Sequence, residues 1–365
     1  MAHPRTAAAR RAEPEVDEPP PVAPVDAAAG PRVGAGRARL VQAVRLLVSG
    51  ALLVFLVTRI DPVHLVPPHA TLGTVAFLAG ALALMAASFV VAAWRWQKVL
   101  AVFDVHVPVR RLLAHVLAGQ FFGNVLPSTI GGDVLRVSRA TRDAGTREVT
   151  FASVVIERLT GFVALPLLAF VGLVARPQLV SSATGWIAPV IAGGTVVALV
   201  AILFLASHPR VAGRFTDHEN WMRYIGVIHV GVDRLRRDLR DALAAVGASV
   251  AYQVTVVASV FCAVHTIGVD VPTAAVLAFV PVVAIAQVAP ISVSGLGVRE
   301  GLLALLLHPL GVPTGRAVAV GLLWYATTLA VSVAGAPAFA FGHRNGPRLA
   351  RPVATPDPQA SPELP

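Results

Sequence analysis

Two short segments of this chain carry residue types from which an anion site could be built. Residues 124–136 run Asn-Val-Leu-Pro-Ser-Thr-Ile-Gly-Gly-Asp-Val-Leu-Arg, and residues 287–299 run Gln-Val-Ala-Pro-Ile-Ser-Val-Ser-Gly-Leu-Gly-Val-Arg. Asn124 and Gln287, Pro127 and Pro290, Gly132 and Gly295, and Arg136 and Arg299 recur at one constant offset, so the segments align without a gap. Each interrupts apolar, helix-like sequence. Gly131, Gly132 and Asp133 precede one short helical stretch, and Ser294, Gly295 and Gly297 precede another. Glycine lets a backbone approach a ligand closely, and a helix N-terminus offers free N–H groups to phosphate or carboxylate. Arg136 and Arg299 fall about one turn into those helices, where their planar forks match phosphate geometry. The expected site draws Asn124, Gly131, Gly132, Asp133 and Arg136 from the first segment. From the second it draws Gln287, Ser294, Gly295, Gly297, Arg299 and the adjoining Glu300. For both arginines the competing role is snorkelling to a membrane interface.

Glu157 and Arg158 lie inside a long apolar run, where ionisable groups are expensive to keep and point to function. Sequence neighbours on a helix project about 100° apart, so each is expected to pair elsewhere, Arg158 with Asp133 and Glu157 with Arg136. A structural salt bridge without ligand contact is the alternative. Other chemistries lack their residues. The single cysteine, Cys262, excludes a disulfide and a cysteine metal site. There is no His-Glu-x-x-His pair, and Gly295-Leu-Gly297 does not complete a dinucleotide fingerprint. No enzyme activity, metal or cofactor is expected.

The elements that must position these residues are membrane helices. Hydrophobic residues make up 56% of the chain and charged ones 14%, against roughly 25% charged in soluble domains; the mean hydropathy is +0.71. Six apolar runs read as spans: Leu46–Val57, Leu72–Ala93, Val149–Val174, Trp186–Ala206, Val246–Ile267 and Val318–Phe341. Two further apolar stretches, Leu112–Leu126 and Val271–Ala289, lead into the Pro/Gly segments and return through Val134–Arg142 and Val298–Leu307. Each reads as a re-entrant hairpin. Irregular backbone at membrane depth persists only inside protein or beside a water-filled cavity.

The fold class is therefore an all-α polytopic integral membrane protein with an inverted repeat of span, span, re-entrant hairpin, span. Its halves are residues 40–175 and 186–342; eight full spans is the alternative. Arginines concentrate before span one, between spans two and three, between spans four and five, and after span six, which places both termini in the cytoplasm. The Ala, Arg and Val bias points to a GC-rich bacterial genome and so to a bacterial inner membrane. The net charge of +10 reports this topology and not nucleic-acid binding. Residues 1–39 and 343–365 read as disordered cytoplasmic tails. Residues 228–247, with Ile228, Val232, Leu235, Leu239, Leu243 and Val246 at helical spacing, read as one amphipathic helix on the membrane surface or against the loops.

Leu126-Pro-Ser-Thr-Ile-Gly-Gly-Asp-Val-Leu-Arg136, Glu157-Arg-Leu-Thr-Gly161 and Pro290-Ile-Ser-Val-Ser-Gly-Leu-Gly-Val-Arg-Glu300 together resemble the transmembrane, flippase-like domain of the lysylphosphatidylglycerol synthase/flippase family. The resemblance covers roughly residues 40–342. It implies movement of lipid across the bilayer. Full-length relatives add a cytoplasmic aminoacyl-transferase domain, for which residues 343–365 are too short, so synthase activity is not expected. The reading is a flippase-like protein translocating an anionic or phosphate-bearing lipid. The alternatives are a secondary transporter of a small polar solute and an accessory scaffold for a membrane glycosyltransferase or lipid-modifying enzyme partner.

Overall fold

The computed structural model describes residues 71–125, 131–207, 222–289, 292 and 294–337. The expected span Leu46–Val57, both tails, and Pro127 and Pro290 lie outside the described residues. The described chain forms α-helices α1 Leu72–Ala101, α2 Val109–Val125, α3 Gly131–Ala144, α4 Arg147–Ala175, α5 Ile187–Ser207, α6 Met222–Arg237, α7 Leu239–Thr266, α8 Thr273–Ala286, α9 Val298–Leu307 and α10 Thr314–Val333, with short 3-10 turns at Pro177–Leu179 and His308–Leu310. Helices α1, α4, α5, α7 and α10 are long and apolar enough to cross a membrane. They cover the five expected spans that fall among the described residues.

Local chemistry sets their starts. The Thr71 hydroxyl accepts from the Thr74 N–H at 3.3 Å and opens α1, and Thr146 does the same for α4 through Val149 at 3.4 Å. Pro272 and Pro313 precede α8 and α10, where a missing N–H costs nothing.

Two boundaries differ from expectation. Helix α1 runs past the apolar stretch to Ala101, because Arg95, Trp96, Val99 and Leu100 are buried on it and do not lie in a loop. The helix expected over residues 228–247 is broken. Helix α6 ends at Arg237, and the Asp238 carboxylate accepts from the N–H groups of Arg240 at 2.8 Å and Asp241 at 3.3 Å, starting α7. Ile228, Val232 and Leu235 pack with Val99, Phe103, Ile156 and Ala245, while Leu239 and Leu243 stay exposed. The apolar period continued across the break because both helices carry leucine there.

Among the described residues, helices α2, α3, α8 and α9 have 17, 14, 14 and 10 residues, against the roughly 20 of a typical span. Arms α2 and α3 pack together where Gly119 meets Gly132: a Cβ on Gly132 would lie 2.5 Å from the Gly119 carbonyl oxygen. Near the other end, Asp143 joins His115 at 2.8 Å and Arg111 at 3.4 Å.

The long helices interlock. Helices α1 and α7 form an antiparallel seam, with Cys262 against Gly80, Ser259 donating to the Ala81 carbonyl at 2.8 Å, and Arg95 over Tyr252. Helix α4 crosses α8 at Gly172, where a Cβ would lie 2.5 Å from the Ala278 nitrogen. Helix α10 meets α2 through an Asn124–Ser332 hydrogen bond of 3.0 Å. Helix α5 leaves Val190, Val197, Val200 and Phe204 exposed, an apolar face suited to lipid.

Candidate functional site

The first hairpin contributes to a charged cluster assembled from three helices. Glu157 of α4 is only 1% exposed, and a carboxylate so buried needs paired cations. It has two. Arg95 of α1 donates to Oε1 at 2.6 Å, and Arg136 of α3 donates to Oε2 at 2.5 Å. Arg136 stacks over the Trp96 ring at 4.3 Å and Arg95 over the Tyr252 ring at 4.6 Å, contacts that favour a desolvated guanidinium. Trp96 is fixed by its own N–H bond to Ser153 at 2.9 Å. Gly161 leaves room for Arg95: a Cβ there would stand 3.2 Å from Nη1.

One helical step along, Arg158 donates through Nε to Asp133 at 2.7 Å. The other oxygen of Asp133 lies 3.6 Å from Arg136 Nη1. Both pairings expected from the sequence, Arg158–Asp133 and Glu157–Arg136, are therefore present. Arg95 was missed because it follows the apolar run and counts there as a loop charge. The cluster holds three guanidiniums, from Arg95, Arg136 and Arg158, against two carboxylates, from Asp133 and Glu157, and so carries an excess positive charge. Its open side is Arg158, whose side chain is 50% exposed. Arg136 Nε is buried without a hydrogen-bond partner.

Gly132 also packs the two arms together. Gly131 begins α3, and Gly132 meets Gly119 and Gly123 of α2. Gly119-Gln-Phe-Phe-Gly123 is a small-residue spacing that permits close approach of membrane helices, a signal present in the sequence and not used. Asn124 accepts from Gln120 at 3.4 Å besides donating to Ser332.

The second hairpin closes on itself. Ser294, Gly295 and Gly297 have φ of 52°, 75° and 86°, left-handed values that glycine takes without strain and serine does not. Glu300 is fully buried and Arg299 is 3% exposed. The Glu300 carboxylate accepts from the Gly297 N–H at 2.6 Å and from Arg299 at 2.8 and 3.0 Å. Arg299 reaches Gln287 at 3.4 Å and stacks 5.0 Å over Tyr325 of α10. Gly321 admits Glu300, since a Cβ there would lie 3.1 Å from its Cγ. The expected open helix N-terminus at Gly297 is thus occupied by Glu300. Adjacent residues pair here because Glu300 turns back on its own helix end, carrying its carboxylate beside the Arg299 fork.

Among the described residues, no hydrogen bond or ion pair joins Arg95, Asp133, Arg136, Glu157 or Arg158 to Gln287, Arg299 or Glu300. Helix α10 connects them, with Ser332 on Asn124 and Tyr325 on Arg299.

A family described as the lysylphosphatidylglycerol synthase TM region matches residues 42–335 of this chain. No curated protein matches it, and no solved structure does.

Proposed function

This chain belongs to the lysylphosphatidylglycerol synthase transmembrane-region family, and we propose that it translocates an anionic or phosphate-bearing lipid between the leaflets of a bacterial inner membrane. It is a membrane protein of a family tied to lipid modification and flipping; the translocation step and the lipid class are the further reading. The observation that carries it is the excess positive charge of the Arg95–Asp133–Arg136–Glu157–Arg158 cluster, held at a hairpin among apolar helices. A phosphate-bearing headgroup crossing such an environment needs forked cations on aromatic platforms in place of water. In this reading Asn124, Gly131, Gly132, Asp133 and Arg136 serve the headgroup from one hairpin. Gln287, Ser294, Gly295, Gly297, Arg299 and Glu300 serve it from the other, and α10 couples the two.

An inverted repeat over 40–175 and 186–342 supports a two-sided path. Its equivalent helices α1 and α7 pack antiparallel against each other. The packing between halves is also reciprocal. Helix α4 lies on arm α8 of the second hairpin, and α10 lies on arm α2 of the first. Both termini are cytoplasmic in this arrangement, and the protein is a translocator with no catalytic role of its own.

Two measurements test the reading. The full chain is reconstituted in vesicles with labelled phosphatidylglycerol, labelled phosphatidylcholine or trapped labelled solutes. Protein-dependent movement of the anionic lipid is expected. Movement of solute alone would replace the reading with a secondary transporter, and movement of nothing would favour a scaffold for a partner enzyme. For the repeat, single cysteines at Gln178 and Arg237 in a Cys262→Ala background should label from opposite sides of the membrane. Labelling from one side would remove the repeat.

A further inference from the structure

Asp133 sits where a phosphate would sit. Its carboxylate lies between two guanidiniums on different helices, 2.7 Å from Arg158 Nε and 3.6 Å from Arg136 Nη1. Glu157, by contrast, is enclosed by Arg95 and Arg136, and displacing it would strand buried charge. The Asp133–Arg158 contact is the least enclosed ion pair of the cluster, with Arg158 half-exposed, so it is the pair that a second anion can compete for. Arg136 is only partly used by Asp133: its Nη2 is committed to Glu157 at 2.5 Å, while Nη1 stands at ion-pair distance. A tetrahedral phosphate oxyanion has more acceptor atoms than a carboxylate and can engage both guanidiniums at once.

We propose that the Asp133 carboxylate is a built-in occupant of an anion site formed by Arg158 and Arg136, and that a phosphodiester headgroup binds this chain by displacing it. The inference rests on the lipid-translocation reading for the source of the anion. The site itself rests on the contacts above. Displacement leaves Glu157 holding Arg95 and Arg136, so the helices stay joined while the ligand exchanges. Asp133, freed, stays beside the headgroup as a like charge that favours its release.

The test uses the full chain in phosphatidylcholine nanodiscs, titrated with short-chain phosphatidylglycerol, short-chain phosphatidylcholine or inorganic phosphate. Asp133→Asn should tighten phosphatidylglycerol binding by about three- to tenfold, the scale of one partly exposed ion pair. Glu148→Gln, which removes the same charge from the first turn of α4, should leave the affinity unchanged. Arg158→Gln should weaken binding. Equal affinity in wild type and Asp133→Asn, or equal tightening in Glu148→Gln, overturns the displacement. Because Asp133→Asn can lose folded protein, the wild type gives an independent measure. The guanidinium Nε signal of Arg158 in 15N-arginine spectra, assigned by its loss in Arg158→Lys, should move with phosphatidylglycerol and stay with phosphatidylcholine. An unmoved signal at saturating phosphatidylglycerol overturns the site. A shift as large at the same concentration of inorganic phosphate overturns a lipid as the source and assigns the site to free phosphate. If vesicles show no lipid movement while Asp133→Asn binds more tightly, the transport reading fails and this site stands. The converse result fails the site alone.

Discussion

In the first hairpin the guanidinium of Arg136 is held by a carboxylate from another helix, Glu157 of α4, which also holds Arg95 of α1. In the second, Arg299 is held by the residue beside it, Glu300, which also closes the end of its own helix. The same pairing of arginine, glutamate and aromatic ring is therefore built once between elements and once within an element. Sliding of α3 along α4 must break ionic bonds. Helix α9 carries its pair with it as one rigid piece. The first hairpin ties charge across helices, and the second holds a buried fork against α10.

The hardest test of that contrast is removal of the two glutamates. Glu157→Gln leaves Arg95 buried without a counter-charge and Arg136 with only Asp133 at 3.6 Å, at a cost of about 3–5 kcal/mol, and folded protein in detergent should be largely lost. Glu300→Gln strands a single arginine and keeps an acceptor for the Gly297 N–H, so its melting temperature should fall less. A larger fall for Glu300→Gln would invert the comparison. On the functional side, Arg299→Lys keeps the charge beside Glu300 and loses the planar fork. Folded yield should be retained while movement of labelled phosphatidylglycerol in vesicles drops by about tenfold. Full movement in this variant would confine lipid contact to the first hairpin.

The turns differ as well. Gly132→Ala drives a Cβ to 2.5 Å from the Gly119 carbonyl oxygen and should cost about 1–3 kcal/mol through overpacking between arms. Gly295→Ala meets a left-handed φ of 75° and the flexible end of Gln287 at 2.7 Å, so about 1–2 kcal/mol is expected from backbone strain. Thermal unfolding of both variants orders them. The smallest effect belongs to the least enclosed pair. A double-mutant cycle of Asp133→Asn and Arg158→Gln should give a coupling near 0.5–1 kcal/mol by chemical unfolding, and purely additive effects would mean that the two do not meet in solution.

Much of this was legible in the sequence, for physical reasons that also mark the limits. The five spans among the described residues stand out because lipid demands unbroken apolar length. The Arg158–Asp133 and Glu157–Arg136 pairs could be foreseen because adjacent ions on a helix point apart and must each be satisfied. That argument does not extend to Arg299 and Glu300, where a helix end lets the second side chain fold back. Arg95 was hidden because an apolar run marks where lipid ends, not where a helix ends, and α1 continues for two turns inside protein. Asp238 was a readable helix start overruled by a hydrophobic period that happened to run through it. The packing of Gly132 on Gly119 was hidden because the two lie on different arms, and sequence does not say which glycines touch.

The crossed packing of α4 on α8 and of α10 on α2 means that the helices up to Ala175 and those from Ile187 clasp one another. A chain severed in the connection between α4 and α5, near Ser181, would lose one covalent link and none of those clasping contacts, so two separately made pieces should find each other in the membrane. Either piece alone would present to lipid a face shaped for its absent counterpart.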